Sequence, residues 1–291
     1  MNIKMIVMDM DGTLLNKDQE ISNRTLKALN RAQDNGVMLV LASGRSYKTL
    51  KPYGDILKMS KYKGQFICVN GAAIYDTETD VNNVVKRLQL NEIQEIFETC
   101  KPFDIEIMAV LEAAIYDYIP QSLYDLKIKY RIENNIDVDV PMTAGTFSMI
   151  VDQRKGYSHI EYIEDFKGVP CPVNKICLAH TPEYLLKPYE YLLDKLGHKY
   201  NFNRTSHSWI EVMPKDISKG NAIRKLAEEF NIKLDEILVF GDGENDLSMF
   251  DVVKYSVAMG NAMETVKQAA YYITDTNNND GIAKIIEEHV L

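Results

Sequence analysis

The sequence predicts an α/β fold with a mainly parallel sheet, helices on both faces of that sheet, and a second α/β unit inserted into the chain. Short apolar runs alternate with amphipathic helix signals in the first and last parts of the chain, as expected of βαβ units. The middle part is also mixed but carries no cluster of residues suited to catalysis. The chain has 291 residues, which is enough for two domains.

In the first part of the chain, strands are predicted over residues 3–8, 37–41, 66–69 and 73–75. The first run is long enough for a buried strand and too short for a helix. Ser22 and Gly36 are typical start and stop residues for a helix whose apolar face holds Leu26, Leu29 and Ala32. Asn70-Gly71 predicts a hairpin turn before the last of these strands.

The last part of the chain repeats this alternation. Strands are predicted over residues 237–240 and 255–259, and a helix opens within residues 245–250. An earlier helix has one apolar face, formed by Ala222, Ile223, Leu226, Ala227 and Phe230. We therefore expect residues 1–83 and 210–291 to form one core domain.

Residues 84–209 are predicted to be the inserted α/β unit. Helix signals cover residues 91–100 and 182–196, and strand-like runs cover residues 105–110, 147–151 and 175–179. Large side chains here that could select a ligand are Tyr116, Tyr118, His207 and Trp209. Each of them is explained more simply as a core or surface residue.

Composition excludes several function classes. The net charge is 33 − 42 = −9, which gives no electrostatic footprint for nucleic acid or for an anionic membrane surface. The four cysteines contain no Cys-x-x-Cys pair and are expected to be reduced and buried. The N-terminal run meets Asp9 too early for a signal peptide, and no run approaches the roughly 18 apolar residues of a membrane span. We expect a cytoplasmic protein.

Two carboxylates, Asp9 and Asp11, come directly after the first predicted strand. Ligands of parallel sheets bind beyond the carboxyl ends of the strands, so both side chains should face a substrate. Asp9 is a candidate nucleophile for aspartyl-phosphate chemistry, and Asp11 a candidate general acid and base. Gly12 permits the turn that would bring Asp11 back beside Asp9. A calcium loop is excluded because Leu14 occupies its obligatory glycine position.

Three other motifs follow predicted strands or open predicted helices. Ser43-Gly44 offers a hydroxyl and backbone N–H groups to an anion, and Lys219 a cation for a phosphoryl oxygen. The third motif contains Asp242, Asn245 and Asp246, whose oxygen atoms suit Mg²⁺. Taken singly, these motifs also fit an ordinary helix cap, a surface lysine or an acidic turn.

Together the motifs contain every component that phosphoryl transfer requires. Grouping four carboxylates, those of Asp9, Asp11, Asp242 and Asp246, would be unfavourable without a cation, because like charges repel. A bound Mg²⁺ would relieve that repulsion and assist catalysis. The pattern therefore predicts a metal-assisted reaction on a phosphate ester.

The motifs resemble the four signatures of the haloacid dehalogenase superfamily, and their order and spacing are similar to those of its Cof-type phosphatases. The four matching motifs are Asp9-Met10-Asp11-Gly12-Thr13-Leu14-Leu15, Ala42-Ser43-Gly44-Arg45, Ser218-Lys219-Gly220 and Gly241-Asp242-Gly243-Glu244-Asn245-Asp246. Two further segments resemble the Cof-type subfamily: Val69-Asn70-Gly71-Ala72 and Asn279-Asp280-Gly281-Ile282-Ala283. The resemblance implies a Rossmann-like core with an inserted α/β cap, and small phosphorylated metabolites such as sugar phosphates as substrates.

The resemblance also implies a role for each site residue. Asp9 would be the nucleophile and Asp11 the acid and base. Ser43, Gly44, Lys219 and Asn245 would hold the phosphoryl group. Mg²⁺ would be bound by Asp9, Asp242, Asp246 and the backbone carbonyl of Asp11. Two alternatives stay open: transfer of the phosphoryl group to a sugar hydroxyl, and a regulator that binds phosphorylated metabolites without catalysis.

Overall fold

A computed structural model of the protein describes residues 1–112, 114–137, 140–143 and 159–291. The chain divides into two compact units, one made of Met1–Val85 with Ile217–Leu291 and the other of Lys86–Asp216. The strand predicted over residues 147–151 lies outside the described residues. Among the described helices, none is long and apolar enough to cross a membrane.

The first segment alternates strands and helices as predicted, and ends in two short strands. Its elements are β1 (Met5–Met8), α1 (Asn23–Asp34), β2 (Met38–Ala42), α2 (Tyr47–Ile56), β3 (Gln65–Cys68), β4 (Ala73–Asp76) and β5 (Val81–Val84). The Ser22 hydroxyl caps α1 by accepting the N–H of Thr25. The predicted turn at Asn70-Gly71 is confirmed, since β3 and β4 pair antiparallel around it.

The second unit supplies the next elements of the chain. They are α3 (Leu90–Cys100), β6 (Glu106–Val110), β7 (Ala114–Tyr118), α4 (Gln121–Glu133), β8 (His159–Tyr162), β9 (Lys175–Ala179), α5 (Pro182–Leu196), β10 (Tyr200–Ser206) and β11 (Trp209–Pro214). Residues 210–216, assigned to the core from the sequence, lie in this unit because β11 pairs with β9 and β10.

The last segment returns to the first unit. Its elements are α6 (Lys219–Glu229), β12 (Ile237–Gly241), α7 (Leu247–Phe250), β13 (Tyr255–Ala258), α8 (Glu264–Ala269), β14 (Tyr272–Ile273) and α9 (Gly281–His289). The helix predicted from residue 245 begins as a 3₁₀ turn over Glu244–Asp246 before α7. The apolar face predicted for α6 is buried at Ala222, Ile223, Leu226 and Ala227.

The sheet of the first unit has the strand order β14-β13-β12-β1-β2-β3-β4-β5 in the described residues. The strands from β14 to β3 run parallel, and β4 and β5 run antiparallel to their neighbours. β1 lies between β2 and β12, with Met8 in register with Leu41 and Phe240. Because the three strands end together, the residues that follow them meet at one edge of the sheet.

The sheet of the second unit has the order β10-β11-β9-β6-β7-β8 among the described residues and is antiparallel except for β7 and β8. Alternate residues of its strands point to opposite faces. One set forms a core with α3 and α5, and Tyr116 and Tyr118 pack against this core. Trp209 belongs to a smaller buried cluster, whereas His207 is exposed.

Candidate active site

Asp9 continues the central strand beyond its last residue. Its N–H donates to the carbonyl of Phe240 on β12 at 3.1 Å, and its side chain is buried. The carboxylate of Asp9 therefore lies where the parallel strands β1 and β12 end. This is the place in a parallel sheet where ligands bind.

Lys219 is the cation of this site. Its Nζ lies 2.6 Å from Asp9 Oδ1 and 2.6 Å from Asp246 Oδ1, and the side chain is buried. The lysine stands in the first turn of α6, which the Ser218 hydroxyl caps by accepting the N–H of Asn221. Gly220 lets α6 approach α7, because a Cβ there would lie 1.9 Å from the carbonyl oxygen of Ser248. This close packing fixes the position of Lys219.

Three carboxylates converge at the site. One oxygen from each of Asp9, Asp242 and Asp246 lies within 4.8 Å of the others. Thr13 donates its hydroxyl to Asp242 Oδ1 at 2.6 Å. Asp246 Oδ2 accepts the N–H groups of Asp242 and Gly243 at 2.9 and 3.1 Å, so Asp246 also shapes the loop that follows β12. Carboxylate oxygens gathered in this way fit a hard divalent cation such as Mg²⁺.

Burial and mutual repulsion shift the titration of these groups. Burial raises the pKa of Asp9 well above its ordinary value, against the lowering effect of Lys219. Burial, together with the charge of Asp246, raises the pKa of Asp242 to about 7. Burial alone would lower the pKa of Lys219, but the charges of Asp246 and Asp9 raise it overall. One lysine thus only partly offsets three converging carboxylates, two of them buried, and a bound cation would complete the compensation.

Asp11 is placed differently from the other three acids. Its side chain is half exposed and forms a two-point ion pair with Arg45, whose Nε donates to Asp11 Oδ2 at 2.9 Å. Gln19 Oε1 accepts a further bond from Arg45 Nη2 at 2.9 Å. The structure therefore gathers three of the four predicted acidic side chains and pairs the fourth with an arginine.

Two of the predicted anion-binding residues, Ser43 and Asn245, lie in the loops that follow β2 and β12. Ser43 follows β2 and is buried, and its hydroxyl accepts the N–H of Arg45 at 3.2 Å. The carbonyl of Ser43 accepts the N–H of Asn70 at 2.9 Å. Asn245 Nδ2 donates to Asn70 Oδ1 at 3.4 Å, which links the loops after β3 and β12. Gly44 lies between Ser43 and the arginine that holds Asp11.

Sequence reasoning missed roles for Arg45, Thr13 and Asn70. Arg45 and Thr13 lie inside the recognised motifs, so their place in the sequence is a signal that could have indicated a role at the site. The sequence indicates a turn at Asn70, in a segment that resembles the family, but predicts no contact of its side chain with another loop. Asn70 adopts a φ of +52°, a left-handed conformation that asparagine tolerates better than most residues. Its side chain accepts the hydrogen bond from Asn245 described above, and no local sequence pattern predicts that contact.

Comparisons with known proteins agree with this geometry. Residues 6–286 match the family model described as haloacid dehalogenase-like hydrolase. A haloacid dehalogenase-like hydrolase from Bacteroides thetaiotaomicron has a crystal structure that is similar, with 31% identity and a TM-score of 0.74, over 98% of this chain and 99% of that one.

Two relatives that are named as phosphatases extend over the same length. The 5-amino-6-(5-phospho-D-ribitylamino)uracil phosphatase YcsE of Bacillus subtilis is 29% identical over 100% of this chain and 97% of its own. The pyridoxal phosphate phosphatase YbhA of Escherichia coli is 26% identical over 100% of both chains. The chain therefore belongs to the haloacid dehalogenase-like hydrolases, among the members of that family that are phosphatases.

Proposed function

We propose that the protein is a Mg²⁺-dependent phosphatase that hydrolyses small phosphorylated metabolites through an aspartyl-phosphate on Asp9. The observation that carries this proposal is the arrangement around Asp9. One oxygen of this buried carboxylate is held by Lys219, and the carboxylates of Asp242 and Asp246 lie within 4.8 Å. A carboxylate held in this way at the end of a parallel strand can attack a phosphorus atom in line.

Four groups are suited to hold the cation. They are the side chains of Asp9, Asp242 and Asp246 and, as the family resemblance implies, the backbone carbonyl of Asp11. When bound, Mg²⁺ would offset charge on the phosphoryl oxygens and keep the neighbouring carboxylates ionised. Thr13 supports this arrangement because its hydroxyl holds Asp242 at 2.6 Å.

The protein supplies the remaining steps. Asp9 forms a bond to phosphorus while the bond to the leaving oxygen breaks, and Asp11, which has left Arg45 and taken up a proton from solvent, gives that proton to the leaving oxygen. Asp11, now ionised, then takes a proton from a water molecule that attacks the aspartyl-phosphate. The products are inorganic phosphate and the free carboxylate of Asp9. Ser43, Gly44, Lys219 and Asn245 hold the phosphoryl oxygens during both steps.

Arg45 gives this mechanism a specific requirement. In the structure its guanidinium engages both oxygens of Asp11. For Asp11 to reach a leaving oxygen, the ion pair must open or turn with the substrate in place. The half-exposed side chain of Asp11 has room to do so.

The substrate class we propose is phosphate monoesters of small metabolites, including sugar phosphates. Two relatives named for their substrates act on pyridoxal phosphate and on a ribitylaminouracil phosphate. We also propose that the inserted unit, expected over residues 84–209, serves as the cap that selects among such esters.

The direct test is hydrolysis of p-nitrophenyl phosphate with and without Mg²⁺ by the wild-type protein and by Asp9→Asn. We expect turnover only by the wild type with the metal, with unchanged thermal unfolding of the variant. Activity of Asp9→Asn equal to wild type would rule out the covalent route.

Two further outcomes would identify the alternative functions. Transfer of the phosphoryl group to sugar, detected by product analysis in excess sugar, would identify a phosphotransferase. Binding of phosphate esters by the wild-type protein without turnover would identify a regulator.

A further inference from the structure

Two loops at opposite ends of the chain are joined by side-chain hydrogen bonds. We call residues 9–22, which follow β1 and carry Asp9 and Asp11, the nucleophile loop. Residues 274–280, which precede α9, are called the C-terminal loop. Asn261, between β13 and α8, stands between the two loops.

Asn261 contacts both loops with its amide group. Its Nδ2 donates to the carbonyl of Gly12 at 2.8 Å, and its Oδ1 accepts the N–H of Asn277 at 3.0 Å. A carbonyl on one side and an N–H on the other leave the amide only one favourable orientation. Asn261 therefore links the C-terminal loop to Gly12, the residue next to Asp11.

Asn277 makes a second contact with the nucleophile loop. Its Nδ2 donates to the carbonyl of Leu15 at 2.7 Å. Further along, Asn278 Oδ1 accepts the N–H of Lys17 at 2.8 Å, and the Ser22 hydroxyl donates to Asp280. The two carbonyls bound by Asn261 and Asn277 belong to Gly12 and Leu15, which lie on either side of Thr13 in the sequence. The hydroxyl of Thr13 in turn donates to Asp242.

We propose that Asn261 and Asn277 are positioning residues for catalysis, an inference that rests on the proposed function. They hold the backbone of the nucleophile loop, so that Thr13 meets Asp242 and the side chain of Asp11 can reach the leaving oxygen once its ion pair with Arg45 opens. Asp11 needs such support because its side chain is half exposed and it lies in a loop, outside any helix or strand. Displacement of a catalytic group by about 1 Å can reduce a rate by about a hundredfold.

The test compares Asn277→Ala with Asn279→Ala. Both changes remove one amide from the C-terminal loop, but the side chain of Asn279 bonds only to Asp275, at 3.3 Å, among the described contacts. Two substrates are used: ribose 5-phosphate, whose alkoxide leaving group needs protonation by Asp11, and p-nitrophenyl phosphate, whose leaving group does not. We expect Asn277→Ala to lower kcat for ribose 5-phosphate by about tenfold or more and kcat for the aryl ester by about threefold or less. Asn279→Ala should change both by less than about twofold.

Hydrogen exchange gives a readout that does not depend on activity. Peptides covering residues 10–17 should exchange faster in Asn277→Ala and in Asn261→Ala than in Asn279→Ala, at similar thermal midpoints. Equal loss on both substrates, or exchange identical to that of Asn279→Ala, would overturn the inference. If the wild type hydrolyses neither ester, the proposed function fails, and the exchange rates still decide whether the two asparagines hold the loop.

Discussion

Gly12 shows how closely the catalytic groups are packed. Its φ is +82°, and a Cβ at this position would lie 2.3 Å from Asp242 Oδ2. Glycine is needed here for two separate reasons, the backbone conformation and the contact with a carboxylate. Gly36 has nearly the same φ, +85°, but a Cβ there would meet nothing within 4 Å. The two glycines therefore separate the effect of backbone strain from the effect of the contact.

We predict that Gly12→Ala and Gly36→Ala differ in both stability and activity. Gly36→Ala should lower the free energy of unfolding by about 1 kcal/mol, from the left-handed backbone alone, and leave kcat unchanged. Gly12→Ala should lower the free energy of unfolding by about 1–3 kcal/mol more than Gly36→Ala, because of the contact with Asp242. It should also reduce kcat by about tenfold or more, because Asp242 must move. Chemical denaturation and p-nitrophenyl phosphate assays would measure both effects. Matching losses in the two variants would mean that the contact with Asp242 has no influence.

α4 illustrates what sequence patterning can and cannot reveal about an element. The strands β1, β2 and β12 could be predicted because each is a short apolar run that is buried in the sheet. α4 buries Lys127 and Arg131 and exposes Ile132, the reverse of an ordinary amphipathic helix. Only tertiary contacts explain this, since Lys127 Nζ donates to Glu106 Oε2 on β6 at 2.5 Å.

The same limit applies to the site. The four motifs were predicted to meet because each follows a strand or opens a helix of one parallel sheet. The ion pair of Arg45 with Asp11 and the amide contacts of Asn261 and Asn277 join single residues of separate loops. Such contacts leave no periodicity in the sequence, so only the folded structure reveals them.

Asp117 on β7 gives the inserted unit a testable pH dependence. Burial, followed by repulsion from Glu106, raises the pKa of Asp117 well above its ordinary value, against the attraction of Lys127. Tyr162 also faces this group. Between the unfolded pKa of about 3.9 and the higher folded value, the native state holds a proton that the unfolded state has released. The free energy of unfolding therefore falls as the pH rises through that interval.

We predict that Asp117→Asn removes this dependence. The free energy of unfolding of the variant, relative to wild type, should increase as the pH rises above the unfolded pKa of about 3.9, by up to about 1.4 kcal/mol per pH unit. Denaturant titrations at several pH values would measure it. The control is Asp125→Asn on the exposed side of α4, whose difference from wild type should stay constant with pH. A constant difference for Asp117→Asn as well would show that Asp117 is ionised in the folded protein.

At the level of the complete chain, the site joins its two most distant segments. Asp9 comes from the first segment of the chain, whereas Lys219, Asp242 and Asp246 come from the last, and the inserted unit separates them in sequence. A cation bound by Asp9 and Asp242 would therefore link the two segments and stabilise the folded state. This coupling makes metal binding measurable without any substrate.

We predict that Mg²⁺ raises the thermal midpoint of the wild-type protein. At a concentration of a hundred times Kd, the free energy of unfolding should increase by about 2.7 kcal/mol. Asp242→Asn should abolish most of this increase because it removes one carboxylate of the group. Asp251→Asn, an exposed position after α7, should keep the full increase. A shift of the same size in Asp242→Asn would place the cation elsewhere.

The most direct test of the proposed chemistry is to trap the phosphoryl group on the protein. Acid quenching during turnover of a phosphate ester, followed by peptide mass spectrometry, should show a hydroxylamine-sensitive phosphoryl group on Asp9 in the wild type. Under the same conditions Asp9→Asn should carry none. A phosphoryl group found on any other residue, or full turnover by Asp9→Asn, would contradict the assignment of Asp9 as the nucleophile.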